Sequence, residues 1–324
     1  MKVLILAGGS ATRLWPLCEN RAKPLLKINN QSLMEYSIEK IPREIEIFVL
    51  TNSRYKQDFQ KELIRINRTD IKIFCEDRYL HSSKKPGVLG AVSLAVKTNQ
   101  IEDDILIFNG DNLLPNLNFR DLIPKSNSGK LAVIKVETVR QARKAGVIEI
   151  SRDFLGDFEK FMPIKSIEEK PLNPKSKIIN AGFMSIGRDC LTILHSFAKV
   201  SPDKFVDVFA AMIEKGKKIY ALPVDGEWFD VGSFGSYLSA HKILQKTPLM
   251  QGQHSSTKSC KMFGKVSVGD NCQLKNCRII DSIIYDNVVL EDCYISSSVI
   301  DSGCKLYKVD INQKLIRKNT ILSG

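Results

Sequence analysis

Short apolar runs alternate with longer amphipathic stretches over the first 245 residues. Val3–Leu6, Ile45 to Leu50, Ile71–Phe74 and Ile105–Phe108 are compact runs of the kind that form strands buried on both faces. Between the first two, Leu33, Ser37, Ile38 and Ile41 share one helical face. Ser32 and Glu35 form a capping box at its start, and Pro42 follows its end. Tyr55, Phe59 and Leu63 stand four apart on a second helix, and Leu89 to Val96 forms a third. Strands alternating with helices predict an α/β fold with a doubly wound, mostly parallel sheet.

The rhythm changes near Lys130. Leu131–Val136, Val147–Ile150, Ile164–Ile167 and Ile178–Ile186 read as strands with shorter connections. Phe205, Val208, Phe209 and Met212 mark an amphipathic helix whose apolar face suits a core. Ile219–Val224 is a further strand. Residues 246–259 are polar and aperiodic, the pattern of a linker.

Beyond the linker, from 260 to 324, a different period takes over. Val266, Cys272, Cys277, Ile283, Val288, Cys293, Val299 and Cys304 recur every five or six residues. Two positions after each stand Val268, Leu274, Ile279, Tyr285, Leu290, Ile295, Asp301 and Leu306, of which only Asp301 breaks the apolar rule. Apolar beats separated by Gly, Asn, Asp or Ser predict the hexapeptide turns of a parallel β-helix. At three beats per coil, two to three coils fit. An antiparallel β-domain is the alternative.

Composition narrows the class. With 324 residues, 43% hydrophobic and 26% charged, the chain is long enough for two domains with ordinary cores. The net charge of +12 calls for an acidic partner. Its Lys and Arg are scattered rather than clustered with aromatics, which favours small phosphorylated ligands over nucleic acid. The eight cysteines include no CxxC pair, so they read as small core residues rather than zinc ligands. The leading apolar run is too short for a signal peptide, and no run approaches the roughly 18 apolar residues of a membrane span. A cytoplasmic protein with reduced thiols and no membrane partner is the expectation.

The candidate chemistry clusters at strand ends. Leu6-Ala7-Gly8-Gly9 follows the first strand, where adjacent glycines let backbone amides approach an anion. Arg13 adds a planar fork and Lys23 a point charge. The pattern is neither GxGxxG nor GxxxxGK[ST]. Asp111 in Asn109-Gly110-Asp111-Asn112 ends the fourth strand, beside the same loop. A carboxylate there needs a cation between it and a phosphate, and Mg²⁺ is the natural one. Glu169-Lys170 pairs a carboxylate with an ammonium at a strand end, fit to hold a polyol hydroxyl beside a phosphate. Asn180 adds an amide. Asp230, between Phe229 and Val231, reads as a buried carboxylate requiring a partner or a metal.

Six stretches occur in an order that resembles one family, the sugar-1-phosphate nucleotidyltransferases: LAGGSATRLWPL with KPLL (6–26), NGDN (109–112), GVIEI (146–150), EEKP (168–171), NAGF (180–183) and EWFDVGS (227–233). The resemblance implies a Rossmann-like nucleotidyltransferase domain over 1–245, with a short left-handed parallel β-helix as on the family's longer members. It implies that a nucleoside triphosphate and a sugar-1-phosphate give a nucleotide-sugar and pyrophosphate. Leu6, Ala7, Gly8, Gly9, Gly87 and Gly90 would then line the nucleotide. Arg13 would grip the β- and γ-phosphates and Lys23 would stabilise charge at the α-phosphate. Asp111 and Asp230 would hold Mg²⁺, while Gly146, Glu169, Lys170 and Asn180 would hold the sugar phosphate. Ala11, Ala22 and Ala145 depart from the family's usual residues, and His81-Ser82-Ser83-Lys84-Lys85 matches none of its base-reading patterns.

Thymidylyl or uridylyl transfer to glucose-1-phosphate is the expected reaction, with guanylyl transfer to mannose- or heptose-1-phosphate as the alternative. A tail that transfers acyl groups is disfavoured because residues 255–324 contain no His. An open-ended β-helix invites a second copy of the chain. A binding protein without turnover, and a nucleic-acid binder with salt-sensitive retention, are the rivals outside catalysis.

Overall fold

A computed structural model describes residues 1–9, 12–79, 86–151 and 160–324. Ser10 and Ala11 of the glycine loop, and the 81–85 loop, lie outside the described residues. The chain divides into two compact units, Met1–Gly8 with Ser37–Trp228, and Gly9–Tyr36 with Phe229–Gly324.

The first unit is built on a nine-stranded sheet. Its strands in chain order are β1 (Lys2–Leu6), β2 (Ile47–Thr51), β3 (Lys72–Cys75), β4 (Ile105–Asn109), β5 (Ser128–Lys135), β6 (Gly146–Ile150), β7 (Met162–Glu169), β8 (Ile178–Ile186) and β9 (Lys218–Pro223). In space they run β3-β2-β1-β4-β8-β5-β9-β7-β6, and β6 also meets β8. The first four are parallel, as the alternation with helices predicts. The second half is not. β8 is antiparallel to both β4 and β5, and β7 to both β9 and β6, while β9 and β5 are parallel. The sheet is therefore mixed rather than mostly parallel. Antiparallel neighbours need no crossover helix, which is what the shortened connections after Lys130 record.

Among the described residues, the helices of six residues or more are α1 (Leu33–Ile38), α2 (Lys56–Arg65), α3 (Val88–Thr98), α4 (Leu191–Val200), α5 (Asp207–Glu214) and α6 (Phe234–Leu244). The capping box of α1 is present: Glu35 N–H donates to Ser32 Oγ at 3.2 Å, and Ser32 N–H donates to Glu35 Oε2 at 3.2 Å. α4 is absent from the sequence reading, although Leu191, Leu194 and Ala198 follow the helical period and are buried. The unit's core is built largely from one cluster, Leu4, Phe48, Val92, Ile107, Leu131, Met184, Leu194, Phe209 and their neighbours, with a smaller one at Val136, Ala142, Val147 and Ile179.

In the second unit, residues 249–323 climb through three parallel sheets of five, five and four strands, visited in turn, which is the topology of a parallel β-helix. Each coil advances 17 or 16 residues, as in Ser256↔Gln273 and Gln273↔Val289. Two expectations are corrected here. The stretch 246–259 is not an unstructured linker, since strands at Leu249–Gln251 and Ser256–Lys258 form the first coil. Leu249 packs on the coil's core, but the positions in register with Val268 and Leu274 are the polar Gln251 and Thr257, so the apolar beat is faint. With that coil and the last strands at 315–316 and 321–323, the tail exceeds the two to three coils expected.

The corners explain the polar spacers. Asn271, Asn276, Asp281, Asn287, Asp292 and Ser297 all have positive φ, the region where Asn and Asp are least penalised. The beat itself slips by one residue on one face. Ile284 and Ile300 belong to the coil's core cluster, with Cys272, Cys277, Cys293 and Cys304. Alternation then turns Ile283 and Val299 outward. Both are nevertheless buried, as are Tyr285 and Asp301.

α6 joins the coil through His241, which is fully buried. Its Nε2 lies 3.2 Å from the Lys265 carbonyl and therefore carries the proton, leaving Nδ1 without a partner. Burial pushes the imidazole down to about 4, opposed by the Lys265 hydrogen bond and Asp281, and reinforced by Lys242 and Lys265. A histidine with a depressed folded value stabilises fully above its ordinary value near 6.5. That contribution, about 3 kcal/mol, is lost as the pH falls from there toward 4. Urea unfolding at pH 7.5 and pH 5 is expected to show about 2 kcal/mol of this loss, with His241→Gln giving a flatter profile.

Candidate active site

The carboxyl edge of the parallel strands gathers one set of motifs inside the first unit. At the end of β1, Ala7 N–H donates to the Leu50 carbonyl at 2.8 Å, and Gly110 N–H donates to the Leu6 carbonyl at 2.9 Å. The Leu6–Gly8 turn and Asp111 are thereby neighbours, as their positions at strand ends predict. A Cβ on Gly8 would lie 3.1 Å from Glu76 Oε1, close enough that the carboxylate would have to give by a few tenths of an ångström. Glu76 was not singled out in the sequence. The available signal was its place directly after β3, equivalent to that of Gly8 after β1 and Asp111 after β4.

Asn109-Gly110-Asp111-Asn112 interlocks with Asn180-Ala181-Gly182-Phe183 on β8. Gly182 has φ +85°, and a Cβ there would lie 2.3 Å from Asn112 Nδ2 and 3.0 Å from Asn109 Nδ2. The Ala181 carbonyl accepts from Asn112 Nδ2 at 3.1 Å and from Trp228 Nε1 at 2.9 Å. The glycine and the Trp of two separate motifs thus serve one turn. Asn180 Oδ1 accepts from Gly182 N–H at 3.0 Å, and its amide Nδ2 faces Met184 sulfur at 3.9 Å.

Gly146, Glu169 and Lys170 meet where β6 and β7 pair, with Glu169 opposite Gly146. A Cβ on Gly146 would lie 2.7 Å from Val206 Cγ1 and 3.2 Å from Glu169 Oε2. Ile179 pairs with Val147, so Asn180 lies at the same end. Glu169 is held by its backbone, whose N–H donates to Asp207 Oδ1 at 3.1 Å, and by Lys170 Nζ, 3.2 Å from Oε1. Its other oxygen, Oε2, is buried with no hydrogen-bond partner. A buried carboxylate oxygen left unsatisfied is costly, and any donor brought to it, a hydroxyl among them, would relieve that cost.

Gly87 and Gly90 have visible neighbours of another kind. Gly87 (φ +72°) caps α3, and its Cβ would strike Pro202 and Asp203 at 2.5 Å. The amides of Leu89 and Gly90 donate to the Pro202 carbonyl at 2.8 and 3.2 Å.

The remaining four candidates, Gly9, Arg13, Lys23 and Asp230, belong to the second unit, and a Cβ on Gly9 would meet nothing within 4 Å. Arg13 is exposed on a short 3-10 turn, Thr12–Leu14, anchored by fully buried Leu14. Lys23 opens a second such turn, Lys23–Leu25, closed by Leu26 N–H to the Lys23 carbonyl at 3.0 Å. Asp230 is exposed, which corrects the expectation of a buried carboxylate. Extended backbone alternates, so Phe229 and Val231 are buried while Asp230 points the other way. Gly232 crowds it, with its Cβ position 3.4 Å from Asp230 Oδ1.

Among the described residues, no group of three or more His, Cys, Asp or Glu side chains could hold a metal ion. Aspartates that supply one hard oxygen ligand each, with phosphate oxygens completing the shell, suit Mg²⁺ rather than a transition metal. No helix among them is long and apolar enough to cross a membrane.

Comparison with known proteins agrees with the geometry. The family model for nucleotidyl transferase matches residues 2–247. A bifunctional GlmU protein of Methanococcus maripaludis is 30% identical over 258 residues, covering 76% of this chain but 56% of the relative, so the chain spans little more than half its length. A glucose-1-phosphate thymidylyltransferase of Streptomyces antibioticus is 23% identical over 335 residues, covering 100% of this chain and 89% of that protein. A UDP-glucose pyrophosphorylase complexed with UDP-glucose shares the fold at TM-score 0.60 and 20% identity, over 75% of this chain and 97% of that one. The chain belongs to the nucleotidyl transferase family.

Proposed function

We propose that the chain transfers a nucleotidyl group from a nucleoside triphosphate to a sugar-1-phosphate. The observation that carries this is the buried, unpartnered Oε2 of Glu169 beside Gly146 and Lys170, at a strand end. It is an acceptor waiting for a hydroxyl, next to an ammonium suited to a phosphate.

An oxygen of the sugar phosphate attacks the α-phosphorus, and the bond to the β-phosphate oxygen breaks. Pyrophosphate leaves with the electron pair. The nucleophile is already an anion near neutral pH, so no general base is needed, and catalysis consists of alignment and charge neutralisation. Lys170 and Glu169 orient the sugar phosphate, with Asn180 and Gly146 against the ring. Lys23 offsets charge at the α-phosphate and Arg13 at the β- and γ-phosphates. Gly8 and Gly9 offer backbone to the nucleotide, with Gly87 and Gly90 toward the base. Asp111 and Asp230 are the Mg²⁺ ligands in this reading. The ion supplies positive charge to the phosphate oxygens.

Thymidylyl or uridylyl transfer to glucose-1-phosphate is the preferred pair, supported by the likeness to the Streptomyces antibioticus protein along the whole chain. Guanylyl transfer is the second reading, favoured by Glu76 beside Gly8. A carboxylate only accepts hydrogen bonds, and guanine presents two adjacent N–H donors where uracil and thymine present one between carbonyls. The tail is left-handed in this proposal, a scaffold and a contact for a second copy rather than an acyltransferase, and the protein is cytoplasmic.

Pyrophosphate release from each of five nucleoside triphosphates (TTP, UTP, GTP, CTP and ATP) against several sugar-1-phosphates, with and without Mg²⁺, tests all of this. Metal-dependent release with one preferred pair is expected. Nucleotide binding without release would leave a binding protein instead.

A further inference from the structure

The β-helix presents one outward face that is buried, and it is buried under the segment that carries Lys23. Asp301 is 3% exposed, and its Oδ1 accepts from Arg21 Nη2 at 3.1 Å and from Ser302 N–H at 2.7 Å. The Arg21 guanidinium lies 4.7 Å from the centre of the Tyr285 ring. Tyr285 Oη accepts from Lys27 N–H at 3.1 Å and lies 2.8 Å from Tyr237 Oη, which donates to the Lys27 carbonyl. Lys27 Nζ pairs with Asp286 at 2.9 Å. Arg21 and Lys27 flank the Lys23–Leu25 turn, so both ends of that turn are fastened by directional bonds to the tail.

Two of the fastening groups are chemically expensive where they stand. A coil needs nothing polar at Tyr285 or Asp301, and a buried carboxylate is costly unless paired. Asp301 is the one break in the apolar series, and what it pairs with is Arg21. Within the tail it bonds the neighbouring Ser302 N–H, but its charge is met by Arg21, in the segment that carries Lys23. The same residues do supply what phosphoryl chemistry demands, a cation held within a fraction of an ångström.

We propose that Asp301, together with Tyr285, is a positioning residue for Lys23, fixing Arg21 and Lys27 so that the turn between them holds the ammonium in place. The inference rests on Lys23 being the α-phosphate cation of the proposed reaction. It makes the tail part of the catalytic apparatus without any tail residue touching substrate.

A double-mutant cycle in the full chain tests it, reading pyrophosphate release and melting temperature. Asp301→Ala is expected to lower kcat about 30-fold, within the range that slight misplacement of a reacting group produces. KM for both substrates should stay within about twofold. In a Lys23→Ala background the same substitution should change kcat by less than about twofold, because groups that act through one another are not additive. An equal fold-loss in both backgrounds, or none in the native one, overturns the proposal. Unchanged turnover in Lys23→Ala alone overturns the underlying role of Lys23 instead.

Should Asp301→Ala fail to fold, the pair Arg21→Met with Asp301→Leu keeps the volume apolar, an exchange that is often neutral or stabilising. Native melting with kcat still depressed about 30-fold supports positioning. Native melting with native kcat assigns the pair to structure alone and overturns the proposal.

Discussion

Asp230→Ala is expected to lose at least about 10³ in kcat, about 4 kcal/mol of transition-state stabilisation, with no recovery as Mg²⁺ is raised. Asp111→Ala should do the same. In the proposed reaction a nucleoside triphosphate meeting a sugar phosphate brings several negative charges together, and an ion held by these carboxylates would be the largest positive charge opposing them. The stability side of the argument is what makes the result readable. Asp230 is exposed while Phe229 and Val231 beside it are buried. Truncating an exposed side chain costs far less stability than truncating a buried one. The protein should therefore stay folded at the assay temperature while turnover collapses. Asp230→Asn keeps the shape and one oxygen but loses the charge, so it should recover only a small part. Native kinetics in any of these variants would remove that aspartate from the metal site.

How much of this was legible beforehand depended on whether a feature is local. Gly8, Asp111, Gly146, Glu169 and Asn180 stand at strand ends, and a strand is announced by its own apolar run. Once the runs are placed, their ends are placed too. The β-helix was equally visible, because its period repeats within the segment. What escaped was set by contacts distant in sequence. The antiparallel half of the sheet follows from which strand slots beside β4, and β8 does so from more than seventy residues away. The first coil was hidden because Leu249–Gln251 and Ser256–Lys258 offer hardly any apolar signal before they stack.

The one-residue slip at Ile283 and Val299 has a related cause. Both faces of that strand are buried, so apolar residues fall on either parity and periodicity alone cannot choose between them. The sequence pattern treated Tyr285 and Asp301 as interior positions, one of them flawed. In the structure they are outward positions covered by residues 21–30. Arg21 and Lys27, in turn, look like solvated cations until their partners more than two hundred residues away are known. The division into two compact units carries the same lesson, since the glycine loop is cut at Gly8 and Gly9 and its cationic half travels with the tail.

Arg13→Ala is expected to lower kcat/KM for the nucleoside triphosphate about 10³-fold, chiefly through the triphosphate, while KM for the sugar-1-phosphate stays within about twofold. Arg13 is exposed on a turn whose anchor is Leu14, fully buried, so truncating the side chain leaves the turn in place and far-ultraviolet circular dichroism unchanged. The informative comparison is Arg13→Lys. If the residue served only as positive charge, lysine would restore nearly everything. A guanidinium, however, meets two phosphate oxygens with parallel N–H bonds in a fixed plane, and an ammonium cannot. Lysine should therefore recover about tenfold and no more. A substrate series sharpens the point: for a nucleoside diphosphate lacking the γ-phosphate, Arg13→Ala should cost clearly less affinity than it does for the triphosphate, since only the β-phosphate contact remains to be lost. Full rescue by lysine, or equal losses for di- and triphosphate, would show that Arg13 contributes field rather than a clamp on the departing pyrophosphate.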